Sequence, residues 1–227
     1  WNLTGRPVLD DTRQDVSRDA RSQPHPPDDS ERELVAQAQQ GSLEAFAILV
    51  DTHHTGVYRI ACRMCGDQDA TDLTQEIFLR ALRALRRFQY QGQASFRTWL
   101  YRIAVNACIN EIRRRKRRSQ IEGPSLDEEL DSEDGPMDRV VPDESHSPHV
   151  LAEREAVRRA VRKIVQMLSP KHRAVLTLVD LEGSNYEEAA AALGIPIGTL
   201  KSRLARARAQ FAIRWKRYEA GELSLDD

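Results

Sequence analysis

Apolar residues recur at helical spacing in block after block of the chain, with short polar breaks between the blocks. The first block opens at Ser30, where Ser30 and Glu33 have the spacing of a capping box. It turns Leu34, Val35 and Ala38 inward and stops at Gly41. Ser42 reads as the cap of a second helix, with Leu43, Phe46, Leu49, Val50, Val57, Ile60, Ala61 and Met64 inward and Gly66 as its end. Asp69 opens a third helix that buries Leu73, Ile77, Ala81, Leu82, Leu85 and Phe88. After the loop Gln89–Ala94, a fourth helix carries Phe96, Trp99, Leu100, Ile103, Ala104, Ala107 and Cys108 on one stripe. It runs on into the cation run Arg113–Arg118. Four amphipathic helices with short connections suffice for a small bundle.

The pattern then breaks. Over residues 119–149 acids dominate and Gly and Pro are scattered, which predicts a flexible acidic linker. Helical spacing resumes near Val150 with Leu151, Ala156, Val157, Ala160, Val161, Ile164 and Leu168 inward. Ser169-Pro170 predicts a cap followed by Pro in the first turn, and the helix so started runs to Leu181 with Val175, Leu178 and Val179 inward. Next comes a two-helix unit. Ser184 and Glu187 predict a capping box, Gly194 a stop, and Pro196 the start of a last helix. That helix places Ile197, Leu200, Leu204, Ala207, Phe211 and Trp215 on one stripe. Its other side carries Gly198, Ser202, Ala205, Arg206 and Ala209, with Lys201 and Arg203 on the flanks. No acid occurs from Ala189 to Tyr218. A buried stripe behind an acid-free outer face, small in its middle and basic around it, suits a DNA recognition helix.

Composition supports an all-α chain of two small helical domains. The predicted division is a tail over 1–28, a four-helix domain over 29–118, the linker over 119–149, a helix-turn-helix domain over 150–218 and an acidic, frayed tail over 219–227. The net charge of −1 hides a segregation of basic and acidic runs. The fourth helix is the second basic surface. Arg102, Asn106, Asn110 and Arg113 share its polar face, and Arg114 and Arg117 extend it. An Asn amide both donates and accepts, so Asn106 can read a base edge while the arginines hold phosphates. Tyr101 lies off the apolar stripe and is the ring expected to stack on an unpaired base; Phe96 and Trp99 are expected in the core. The third helix exposes Asp72, Gln75 and Glu76 near its start.

Other chemistry is not expected. There is no nucleophile elbow, no phosphate-binding Gly loop and no pair of carboxylates on rigid elements, so no catalytic residue, cofactor or small-molecule substrate is assigned. Cys62-Arg63-Met64-Cys65 has metal spacing, but it lies mid-helix on an apolar segment without a second such pair. Buried structural thiols are expected there, and no metal site. His146 and His149 fall in the linker. No run of about 18 apolar residues occurs, so no membrane insertion is expected, nor is a signal peptide read.

Four segments together resemble the extracytoplasmic-function sigma factors, the smallest group of bacterial sigma factors. They are Asp72–Phe78, Phe96–Asn106, Leu168-Ser169-Pro170, and Pro196–Arg203 followed by Arg206 and Arg208, in that order. The resemblance covers about residues 30–118 and 150–217. It implies sigma region two followed by sigma region four. Asp72, Gln75 and Glu76 would dock on the β′ subunit of core RNA polymerase, which also engages through β. Tyr101, Arg102, Asn106, Asn110, Arg113, Arg114 and Arg117 would bind and melt the minus-ten element. Gly198, Thr199, Lys201, Ser202, Arg203, Ala205 and Arg206 would face the minus-thirty-five element. It further implies transcription initiation in a stress or envelope-signal response. The protein would be cytoplasmic, controlled by a cognate anti-sigma factor that can hold it at the inner membrane. The competing reading is a stand-alone helix-turn-helix regulator, which has no need of the polar faces of the third and fourth helices.

Overall fold

A computed structural model describes residues 29–89, 95–122 and 148–225, and every regular element among them is helical. In chain order these are α1 (Asp29–Gln39), α2 (Leu43–Cys65), α3 (Ala70–Leu85), α4 (Phe96–Glu122), α5 (Pro148–Gln166) and α6 (Pro170–Leu176). A π-helical turn over Thr177–Leu181 continues α6, followed by α7 (Tyr186–Leu193) and α8 (Ile197–Glu219). The tail over 1–28, the loop residues 90–94 and the acidic residues of the linker from Asp127 to Glu144 lie outside the described residues. Helix occupies both ends of the expected linker, because α4 continues to Glu122 and α5 starts at Pro148.

The first half is built around α2, which packs on α1, α3 and α4. Ser42 caps it, its hydroxyl accepting from the Ala45 N–H at 3.1 Å. Gly66 closes it at φ 99°, a conformation a side chain would strain. Leu49, Val57, Ile60 and Met64 of α2, Ile77 and Leu85 of α3, and Phe96, Leu100 and Ala104 of α4 form the core. Two expectations fail here. Ser30 lies inside α1, whose described part already begins at Asp29, so it is not the cap. Leu43 is 66% exposed. It sits at the edge of the α2 stripe in the first turn, where the neighbouring helices do not reach it.

In the second half, Ser169 caps α6 as expected, accepting from the His172 N–H at 3.4 Å. The helix does not stay α to Leu181. Glu182 N–H donates to the Thr177 carbonyl at 2.8 Å, a spacing of five that widens the last turn. Apolar positions at i, i+3 and i+4 look the same for either winding over so few residues. The predicted capping box also moves by one residue. Ser184 N–H is taken by the Leu178 carbonyl, and Asn185 is the cap: its Oδ1 accepts from Glu188 N–H at 2.8 Å while Glu188 Oε2 accepts from Asn185 N–H at 3.2 Å. Gly194 ends α7 in the left-handed region at φ 63°. Leu200, Leu204, Ala207, Phe211 and Trp215 of α8 are buried, whereas Ile197, in its first turn, is 40% exposed. The C-terminal segment is not frayed through residue 225: Leu225 is buried and its carbonyl accepts from Lys163 Nζ.

The halves pack on one another, α4 against α7 and α2 against α5. Polar contacts stitch the seam. Arg162 bonds Asp67 at 3.0 Å, Gln166 Nε2 donates to the Cys62 carbonyl at 3.1 Å, Arg173 donates to the Met64 carbonyl, and Arg97 donates to the Glu182 carbonyl at 2.9 Å.

Candidate nucleic-acid interface

The buried Ser95 hydroxyl accepts from the Thr98 N–H at 3.2 Å and starts α4. One side of α4 is core. On the other, Arg102, Asn106, Asn110 and Arg113 are all exposed, at spacings of four, four and three, which puts them on one face. None of the four has a hydrogen-bond or ion-pair partner among the described residues. The cation run divides. Arg114 pairs with Glu111 at 2.9 Å. Arg115 turns inward, donating to the Cys65 carbonyl at 2.9 Å and pairing with Asp69 and Glu111, so it anchors α4 to the end of α2. Partial burial works against ionisation of Glu111, but Arg114 and Arg115 hold its carboxyl below the usual range. Arg117 stays exposed beside Arg113.

Tyr101 is not the exposed ring expected. It is 5% exposed and its hydroxyl lies over Gly56 of α2, where an added Cβ would meet that oxygen at 2.4 Å. The missing side chain at Gly56 makes a slot, and Tyr101 fills it under the Arg97 guanidinium, 5.1 Å from the ring centroid. Phe96 is core as expected, and Trp99 packs on it half-buried, centroids 5.4 Å apart. Of the three rings Trp99 is the one that reaches the surface.

On α8, Gly198, Thr199, Lys201, Ser202, Ala205 and Arg206 are exposed and Arg203 is half-buried. Three side chains are already occupied. Ser202 Oγ donates to the Thr199 carbonyl at 3.1 Å, and the Lys201 ammonium stands 5.5 Å over the Tyr186 ring. Arg208 clamps Asp180 with two bonds of 2.9 and 2.7 Å, tying α8 to the π-helical turn; that pairing raises its pKa. Arg206 has no such partner among the described residues.

Asp72, Gln75 and Glu76 are exposed on α3, and Glu76 pairs with Arg80 at 2.6 Å. Beside Gln75 lies an open apolar groove of about 350 Å³ lined by Phe46, Val50, His54, Thr74, Phe78 and Leu79. Leu79 is 52% exposed. The sequence pattern missed this groove because it runs between two helices, whereas a stripe describes one helix at a time. Also missed were Arg115, Asp180 and Glu182, each of which has a partner in another element.

Among the described residues no group of three or more His, Cys, Asp or Glu could hold a metal, and no helix is long and apolar enough to cross a membrane. Cys62, Cys65 and Cys108 are free and buried.

The family described as Sigma-70 region 2 matches residues 49–118, and that described as Sigma-70, region 4 matches residues 158–211. The chain is 35% identical over 175 residues to the ECF RNA polymerase sigma-E factor of Escherichia coli, covering 77% of this chain and 88% of that protein. The chain belongs to the extracytoplasmic-function sigma factors. It is also 35% identical over 176 residues to the ECF RNA polymerase sigma factor SigE of Mycolicibacterium smegmatis, spanning 77% of this chain but 63% of that longer protein. The solved structure of CnrH, in complex with the cytosolic domain of CnrY, is similar at a TM-score of 0.58 and 25% identity, covering 82% of this chain and 97% of CnrH. For an ECF sigma factor, the helices of the first half are explained by the region 2 match. The stand-alone regulator reading leaves them without a role. Sigma factors are not a class of catalysts.

Proposed function

We propose that this sigma factor binds core RNA polymerase and directs promoter-specific initiation, without catalysing a reaction of its own. The observation that carries this is the face of α4. Four exposed polar side chains, Arg102, Asn106, Asn110 and Arg113, have no partner among the described residues and stand on a helix whose opposite side is core. Cations held out in this way suit a phosphate backbone, and an Asn between them suits a base edge. Holding a base outside the stack offsets the cost of melting without ATP. The working division is residues 29–118 for polymerase binding and the minus-ten element and residues 150–218 for the minus-thirty-five element. Asp72, Gln75 and Glu76 present carboxylates and an amide to the β′ subunit. A cognate anti-sigma factor would cover these same surfaces and set the response to stress or envelope signals. The site of action is the cytoplasm.

The test is run-off transcription by core polymerase with this protein on a promoter library. Initiation from a defined subset of promoters, lost without the protein, is expected. Tight duplex binding by the protein alone with no specific initiation would replace this reading with the stand-alone regulator.

A further inference from the structure

The groove between α2 and α3 is lined mainly by apolar side chains and flanked by opposite charges at its two ends. Phe46, Val50 and His54 of α2 face Phe78 and Leu79 of α3, and Leu79 is 52% exposed. Apolar surface left open in this way marks a place where another segment packs. Along α3, Asp72 stands one turn before Gln75 of the groove wall, and Arg83 one turn after Leu79. Both are exposed, and neither has a hydrogen-bond or ion-pair partner among the described residues. They are eleven residues apart, close to three full turns, so they share one face at a separation of about 16 Å. The groove therefore suits an extended segment with a cation at one end, aliphatic side chains in the middle and an acid at the other.

The chain carries such a segment ahead of α1. Arg6-Pro7-Val8-Leu9-Asp10-Asp11 has the cation, the aliphatic pair and the acids in that order. Pro7 fixes its own φ and disfavours the helical region for Arg6, which biases the segment toward an extended shape. From Arg6 to Asp11 an extended chain measures about 17 Å, which matches the separation of Asp72 and Arg83. Successive side chains of such a chain point to opposite sides, so Val8 and Leu9 meet the two walls. We infer that residues 6–11 dock in the α2/α3 groove of the free protein, with Arg6 at Asp72 and Asp11 at Arg83. The tether favours this occupant over a separate partner. Glu31, in the first turn of α1, is hydrogen-bonded to His53 at 3.1 Å, beside His54 of the groove wall. The 17 residues between Asp11 and Asp29 reach up to about 55 Å. A segment tethered so closely has an effective concentration on the order of millimolar. The consequence rests on the proposed polymerase-docking role of Asp72, Gln75 and Glu76: the docked segment covers that face, and polymerase has to displace it.

The full chain with photoreactive p-benzoylphenylalanine in place of the exposed Leu79 should be irradiated and its cross-links mapped by mass spectrometry. An intrachain cross-link to residues 6–11 is expected. Arg6→Asp or Asp72→Arg should reduce its yield severalfold, and the two together should restore it. A cross-link between two chains would hand the groove to a second copy. One confined to other parts of the chain, or none at all, would remove the segment from the groove. Yields that ignore both substitutions would overturn the register. Polymerase is then read separately. The chain lacking residues 1–11 should bind core polymerase about tenfold more tightly than the full chain if the segment fills the groove about nine-tenths of the time. Equal affinities would overturn the inhibitory role. No binding by either chain, alongside the expected cross-link, would sink the polymerase reading and leave the docked segment standing.

Discussion

The Glu182 carboxylate, just past the π-helical turn, is paired with the Arg63 guanidinium of α2 across the boundary between the two halves. Its side chain is 1% exposed, Arg59 stands at 3.4 Å, and Arg97 donates to the carbonyl of the same residue. A carboxylate buried so fully depends on these cations, whereas Arg63 and Arg59 keep partial access to water.

This pairing bears on promoter binding. Elements centred near minus ten and minus thirty-five are roughly 25 base pairs apart, about 85 Å of B-form duplex. In the packed form α4 lies against α7, a helix of 8 residues and about 12 Å, directly followed by α8. If the faces of α4 and α8 take up these two elements, as proposed, the seam must open before they span both. Glu182→Ala is expected to weaken the seam by on the order of 1–3 kcal/mol, the partial exposure of the arginines limiting the loss. Scattering should show a larger radius of gyration, and binding to DNA carrying both elements should tighten. An unchanged radius would mean that α4 and α7 hold the halves together without this ion pair.

How much of this could be read from the chain depends on where each residue's partner lies. Ser42, Gly66, Ser169 and Gly194 act within one or two turns of their own position, and their roles follow from local spacing. The cap at Asn185 was visible only to within one residue, since Ser184/Glu187 and Asn185/Glu188 satisfy the same spacing; the Leu178 carbonyl decides between them by taking Ser184 N–H. Tyr101 was misplaced because its slot is cut by Gly56, 45 positions earlier, and a helical wheel of α4 carries no record of α2. The partners of Glu182 and Arg173 are likewise products of packing. The exposed faces of α3, α4 and α8 were legible for the opposite reason: they face solvent, and their own spacing defines them.

The Asn185 cap gives a stability prediction. It satisfies an otherwise unpaired N–H of α7 and receives the return bond from Glu188. Asn185→Ala should cost about 1 kcal/mol, measured as a lower urea midpoint with an unchanged slope. An unchanged midpoint would show that packing against α4, not the cap, fixes the start of α7.

Asn106 and Arg102 are exposed one turn apart on α4, which leaves the amide and the guanidinium open for the proposed base and phosphate contacts. Asn106→Ala should impair promoter opening more than closed-complex formation, by about 1–3 kcal/mol if the amide makes two bonds to one base. Permanganate reactivity of the melted strand reports the first and gel retardation the second. Equal loss in both assays would reassign Asn106 to general backbone contact.

Arg206 and Arg208 are two residues apart on α8 and have opposite prospects. Arg208 is committed to Asp180 by two bonds, so it holds α8 against the turn before α7. Arg206 is exposed on the acid-free face, next to Ala205, where no bulk keeps the helix from the groove. Arg206→Ala should weaken binding to the upstream duplex by about 1–3 kcal/mol and relax discrimination at one base pair, while leaving the urea midpoint in place. Arg208→Ala should lower that midpoint and weaken binding to all duplexes alike. Titrating each variant against a set of single-base-pair variants of the upstream duplex separates the two. A uniform loss for Arg206→Ala would make it a phosphate contact, and the reading of the upstream sequence would then fall to Lys201 and Ser202.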